Sequence, residues 1–306
     1  MSLEQCLEGL KDEHRPLAQC HLAELSSLAP EEMAFFRKVW PRIGVERQRQ
    51  AIAHLAELAE RDCQLNFDDV FRFCLGDRDE RVRATSIEGL WECEHRALID
   101  AFIYMLKEDS SEQVRAAAAM ALGRFAVLAE LEKLLPRDEA RVRGALVAAI
   151  DNLKERLEVK RRAVEAISAM NVPRVKAIIQ EAYESDDARM RASALYAMGR
   201  NGDPSWLPTL LKELQSPDAE MRYEAAVACG ELGHEDAIPH LERLIHDVDS
   251  QVRFSAIAAL GDIGGDEAEE SLREFLDHPD DTVREAASEA LEGIEVYKDP
   301  FSFGVE

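Results

Sequence analysis

The chain has 306 residues, a formal net charge of −24 and a hydrophobic fraction of 46%. A surplus of acid on that scale argues against general affinity for nucleic acid or anionic membrane surfaces. No apolar run reaches the ~20 residues that cross a bilayer. The start, MSLEQCLEGLKDEHR, lacks a basic segment followed by an apolar core, so no signal peptide is expected. The six cysteines, Cys6, Cys20, Cys63, Cys74, Cys93 and Cys229, show no C-x-x-C spacing. On helical segments they are expected to be small buried apolar residues of a reduced, cytoplasmic protein.

Residues 1–44 read as a helical cap. Ser2 with Gln5 suits a capping box, Pro16 opens a second helix, and Pro30 opens a third. On this third helix Met33, Phe36, Val39 and Trp40 share one face, and Trp40-Pro41 stops it. Residues 45–171 carry an irregular repeat in which a basic residue follows a short apolar one. The register places Gln48, Arg83, Arg115, Arg143 and Lys160 at equivalent points, with spacings of 35, 32, 28 and 17. The 17 is too short for a helix pair. A helix there is expected to be missing or extra, with a break in the path near 137–171.

Residues 172–295 are regular. The segments DARMRASALYAMG, DAEMRYEAAVACG, DSQVRFSAIAALG and DTVREAASEALEG place Arg191, Arg222, Arg253 and Arg284 at intervals of 31. Counted from Arg222, Met221, Ala225, Ala226, Cys229 and Leu232 cluster on one helical face at about 100° per residue. Gly199/Gly202, Gly230/Gly233 and Gly261/Gly264 are expected to end these helices. A second apolar-periodic segment precedes each one, with Pro173, Pro208 and Pro239 in its first turn. Each unit is therefore an antiparallel helix pair. Residues 296–306 leave the pattern and form a tail, in which Phe301 and Phe303 are available for docking.

The pattern D-x-x-[VM]-R-x-x-A-x-x-A-[LM]-G resembles the HEAT repeat, in the short form of about 31 residues found in phycobilisome lyases and many bacterial scaffold proteins. The resemblance implies an all-α, right-handed α-α superhelix of about eight pairs, whose stability sums over units and their neighbours. Acids four residues before the arginines, such as Asp79/Arg83, Glu139/Arg143 and Asp218/Arg222, read as a structural ladder rather than a binding row, because they recur in every unit.

The search for chemistry finds no nucleophile–base pairing, no phosphate loop and no metal motif. Deoxyhypusine hydroxylase is similar in repeat length and binds two irons through His-Glu pairs just after the repeat arginine. Here those positions hold Tyr223-Glu224, Phe254-Ser255, Ala192-Ser193 and Glu285-Ala286, so that ligand set is absent. His234-Glu235 lies in a loop. A bilin lyase-like subunit is a second alternative, though Cys229 falls at a core offset. A DNA-binding HEAT-like protein is a third, opposed by residues 201–306 with 7 Lys and Arg against 26 Asp and Glu.

The reading is a non-enzymatic, cytoplasmic protein-binding scaffold without metal or cofactor, monomeric or weakly self-associating, and binding neither nucleic acid nor membrane. Its partner is expected on the concave face. Met120, Tyr196, Tyr223, Val227 and Phe254 lie there at +1 and +5 from the arginines, where polar residues would stand if they met only water. Residues 133–176 hold 11 Lys and Arg against 6 Asp and Glu. Within them Arg161 and Arg162 are candidate contacts for an acidic partner segment.

Overall fold

The computed structural model describes residues 3–11, 17 and 22–298. The expected capping box at Ser2, most of the helix from Pro16, and Phe301 and Phe303 lie outside the described residues. The rest is all-α, with 17 α-helices and no strand among the described residues. None of these helices is long and apolar enough to cross a membrane. The chain divides into two compact units, Met1–Ala166 and Ile167–Glu306.

Unit 1 begins with α1 (Leu3–Lys11) and α2 (Pro30–Val39). Met33, Phe36, Val39 and Trp40 are buried, as their shared face requires, and the Phe36 and Trp40 rings stack with centroids 5.1 Å apart. Next come α3 (Val45–Arg61), α4 (Asp68–Cys74), α5 (Glu80–Glu88), α6 (Ala97–Glu108), α7 (Glu112–Glu130), α8 (Pro136–Asp151) and α9 (Leu157–Ile167), whose last residue begins unit 2. The second helices α3, α5 and α7 stack in order, and each pairs with the helix before it in α4/α5 and α6/α7.

The short spacing from Arg143 to Lys160 has a simple cause. Helix α8 packs against both α6 and α7, so it is the first helix of the pair α8/α9 and Arg143 is not a repeat arginine. No helix is missing. The true register runs from Arg115 to Lys160, lengthened because α7 has 19 residues and α8 has 16.

Unit 2 holds the pairs α10/α11 (Pro173–Tyr183, Ala188–Asn201), α12/α13 (Leu207–Glu213, Ala219–Leu232), α14/α15 (Ile238–Leu244, Ser250–Ile263) and α16/α17 (Gly265–Phe275, Asp281–Lys298). Pro173, Pro208 and Pro239 sit in first turns, as expected. Helix α17 runs to Lys298, so residues 296–298 continue the helix rather than starting a tail.

The paired glycines divide their work. Gly202 and Gly233 close α11 and α13 in the left-handed region, at φ 67° and 66°. Gly199, Gly230 and Gly261, eight residues after the arginine, end nothing. They let neighbouring second helices touch. A Cβ on Gly199 would lie 2.7 Å from Ala228 Cα, and one on Gly230 would lie 2.8 Å from Ala259 Cα. Gly261 faces Ala290 and Gly123 faces Ala166 in the same register. Each seam is a glycine at +8 seated on an alanine at +6 of the next unit.

The arginine ladder is present, with two corrections. It runs from four arginines to an acid of the following unit: Arg49 to Asp79 at 2.7 Å, Arg83 to Asp109 at 2.7 Å, Arg115 to Glu155 at 2.8 Å and Arg222 to Asp247 at 2.7 Å, with Arg253 within 3.9 Å of Asp280. The first rung is therefore Arg49, one residue past the position expected. Gln48 is buried instead and donates to the Trp40 carbonyl at 2.7 Å. The acceptor in Asp109 and Asp247 stands six residues before the next arginine rather than four. The acids at −4, including Asp79, Asp187, Asp218 and Asp249, cap their own helices. Apart from Arg49, the repeat arginines also close the loops of their own pairs. Arg83 donates to the carbonyls of Asp77 and Arg78, Arg191 to those of Ser185 and Asp186, and Arg253 to those of Asp247 and Val248.

Candidate functional site

In unit 1 the seam between α5 and α7 is open. At the +8 register, where four other units carry glycine, stands Trp91, and α5 has already ended at Glu88. An indole cannot enter a seam built for a hydrogen atom, so Trp91 turns outward and is 51% exposed. A groove of about 860 Å³ results, floored by Ala116, Ala117 and Ala121 and walled by Trp91 and Met120. Met120 is 40% exposed. The rim is charged, with Glu80, Glu88, Glu112, Arg124, Glu158 and Arg162. Burial, and then the nearby Glu60 charge, push the Glu88 carboxyl above its ordinary value.

The groove thus joins two residues expected from the sequence, Met120 and Arg162, and adds one that the reasoning missed. Trp91 was legible as a large aromatic at the register that glycine holds elsewhere. Ala116, the +1 residue beside Met120, is buried, as are Ala84 and Ala192 at the same offset. In these three units the +1 position does not point away from the stack, whereas Tyr223 and Phe254 at the same offset are half-buried and Glu285 is exposed.

In unit 2, Tyr196 on α11, Tyr223 and Val227 on α13 and Phe254 on α15 are all half-buried. Phe254 lines a groove of about 660 Å³ between α15 and α17, together with Ile257, Ala258, Ala286 and Ala290. Asp262, Glu285 and Glu289 supply every charge on that groove. Nine residues after the arginines, Glu231 and Asp262 lie over the glycine seams. A Cβ on Gly199 would sit 2.9 Å from Glu231 Oε2, and one on Gly230 would sit 3.1 Å from Asp262 Oδ2. Burial at these seams raises both carboxyls above their ordinary values, Arg200 opposing the shift at Glu231.

The basic middle is largely paired within unit 1. Arg161 meets Glu158 at 2.8 Å, and Arg162 meets Glu158 at 2.8 Å and Glu165 at 2.9 Å. Arg143 meets Glu139 at 2.7 Å, and Arg141 is bound to Asp100 and Asp138. The side chain of Arg161 is only 15% exposed. Its charge is committed to its own helix.

Among the described residues no three His, Cys, Asp or Glu side chains converge as a metal site. His234 caps the turn Glu235–Ala237 through Nδ1, which accepts from the Asp236 N–H. Cys229 is fully buried and its thiol is pushed up to about 12 by desolvation. Cys6 and Cys74 are also buried. Cys63 and Cys93 depart from the expectation: both lie in loops, Cys63 exposed and Cys93 half-buried, because α3 stops at Arg61 and α5 at Glu88.

Comparison with known proteins agrees with this geometry. The model described as HEAT repeats matches residues 69–151 and 207–292, more than half of the chain. The model described as PBS lyase HEAT-like repeat matches residues 190–216. No curated protein matches. Among solved structures, a chain of the CpcE and CpcF complex of phycocyanin lyase from Nostoc sp. PCC7120 is 16% identical, with a TM-score of 0.54 over 92% of this chain and 97% of that one. The YibA protein of Escherichia coli is 20% identical, with a TM-score of 0.47 over 78% of this chain and 96% of that one. Human deoxyhypusine hydroxylase, solved with glycerol, is 18% identical, with a TM-score of 0.36 over 96% of each chain. From the arginine ladder, the glycine-on-alanine seams and the matched repeats together, the chain belongs to the HEAT repeat family.

Proposed function

We propose that the chain is a non-enzymatic protein-binding scaffold that holds partner chains on the faces of its second helices. The observation that carries this reading is Trp91, half-exposed in a groove of about 860 Å³ with an alanine floor and a charged rim. A large aromatic in an apolar recess bordered by polar residues has the composition of a binding hot spot. The stripe of Tyr196, Tyr223, Val227 and Phe254 offers unit 2 a similar surface. The test is affinity capture from the source organism with the wild-type chain and with Trp91→Ala. Partners retained by the first and lost by the second, at an unchanged melting temperature, support the reading. Identical capture by both removes Trp91 from it.

A second reading is a bilin lyase-like subunit. It is favoured by the fold shared with the CpcE and CpcF chain over 92% of this chain. The groove beside Trp91 would then receive a linear tetrapyrrole. Absorbance after incubation with such a pigment separates the two readings: a shifted band that is lost in Trp91→Ala supports the second and counts against the first.

A further inference from the structure

We propose that the groove between α15 and α17 binds a segment of another protein in which lysine or arginine flanks an apolar side chain. The inference rests on the reading of second-helix faces as binding surfaces and adds the chemistry of the guest.

The groove is apolar at its base and acidic at every charged position. Phe254, Ile257 and Ala258 form one wall, and Ala286 and Ala290 the other. Glu285 and Glu289 are four residues apart on α17, hence on one face of it. Asp262 stands opposite them on α15. None of the three makes an ion pair within 4.0 Å among the described residues, although each lines the same recess. Burial disfavours the Asp262 carboxylate, and the apolar wall supplies the three acids with no counter-charge. An ammonium or guanidinium group relieves both costs, and an apolar neighbour fills the base.

Five cations of unit 2 are engaged elsewhere. Arg222 and Arg253 close interhelix loops, as does Arg284 through the His278 carbonyl. Arg273 pairs with Glu269 at 2.6 Å, and Lys212 donates to Tyr183 at 3.1 Å. Among the described residues no lysine or arginine lines the groove. Residues 201–306 add a wider acidic field, with 7 Lys and Arg against 26 Asp and Glu, which draws a basic chain in and turns an acidic one away. Among the described residues the three acids do not converge as a metal site.

The experiment uses the full chain and three labelled synthetic peptides, alternating lysine with leucine, lysine with serine, and glutamate with leucine. Fluorescence anisotropy is read across a sodium chloride series. The lysine–leucine peptide is expected to bind best, to weaken as salt rises, and to lose about tenfold in affinity with Glu285→Lys plus Glu289→Lys. Phe254→Ala is expected to weaken it a few-fold at an unchanged circular dichroism spectrum. Glu285→Gln plus Glu289→Gln keeps the test valid if the reversed charges disturb the fold. Equal binding of the lysine–serine peptide, or equal affinity of the double variants and the wild type, overturns the proposal. Self-association in sedimentation velocity that disappears with Glu285→Lys overturns it in favour of a second copy. Because the probe is synthetic and Trp91 belongs to unit 1, this outcome is independent of the capture experiment with Trp91→Ala.

Discussion

Arg222 leaves its own helix pair and grips Asp247 of the next with two parallel hydrogen bonds, Nε to Oδ2 at 2.7 Å and Nη2 to Oδ1 at 2.8 Å. The two side chains are 13% and 9% exposed, so the pair is nearly dry. Removing either partner strands a charge out of water. Arg222→Ala is expected to cost about 3 kcal/mol in urea denaturation. Arg191→Ala is expected to cost about 1 kcal/mol, because Arg191 donates to the Ser185 and Asp186 carbonyls and makes no ion pair among the described residues. Equal losses would show that the interunit rung carries nothing.

Acid should loosen this ladder. Hydrogen bonding from Arg49 holds Asp79 below its ordinary value of 3.8, and Arg222 does the same for Asp247. A carboxyl depressed in the folded chain stabilises it above the unfolded value and ceases to do so as pH falls through the folded one. The melting temperature is expected to be flat in its ladder contribution down to about pH 4 and to fall below it. Asp247→Asn should flatten part of that acid limb.

The seams predict opposite signs for glycine replacements. Gly230→Ala drives a methyl to 2.8 Å from Ala259 Cα and is expected to destabilise by about 1–3 kcal/mol. Gly144, within α8, has nothing within 4 Å of an added Cβ. Gly144→Ala is expected to stabilise by about 0.5–1 kcal/mol through helix propensity alone. Thermal melts of both variants decide the matter.

Thiol accessibility supplies an independent check. Cys63 is exposed and is expected to react with a maleimide within the ordinary time of a free thiol, whereas Cys229 waits for unfolding. Peptide mapping after brief labelling reads this directly. Early modification of Cys229 would contradict the packing of α13.

How much of this was written in the sequence depends on what each residue answers to. The period of 31 and the cap acids are set by helix geometry within one unit, so Asp187, Asp218 and Asp249 cap as expected. The ladder acceptors answer to a neighbour, and Asp247 at −6 could not be told from Asp249 at −4 without the interhelix turn. Arg143 mimics a repeat arginine because α8 carries the same apolar spacing as a second helix, and only its contacts with α6 and α7 reveal its place. The glycines were read as stops because glycine commonly ends helices, yet Gly199 and Gly230 answer to an alanine one unit away. Of the residues named from their offsets, Met120 and Phe254 each line a groove. Trp91 was not sought, because the search followed +1 and +5 and never asked what stood at +8.

The rungs all point one way. Arg49 waits for Asp79, Arg83 for Asp109, Arg115 for Glu155 and Arg222 for Asp247, always an acid made later in synthesis. The loop-closing bonds to Asp77, Ser185 or Asp247 carbonyls ask for nothing beyond the same pair. Arg83 gives Nη1 to its loop carbonyls and keeps Nε and Nη2 for Asp109, so a nascent chain can complete that turn before the acid of the next pair is made. Where a rung is present a pair is finished by its successor, so these junctions can close like a vectorial zipper in the order of translation.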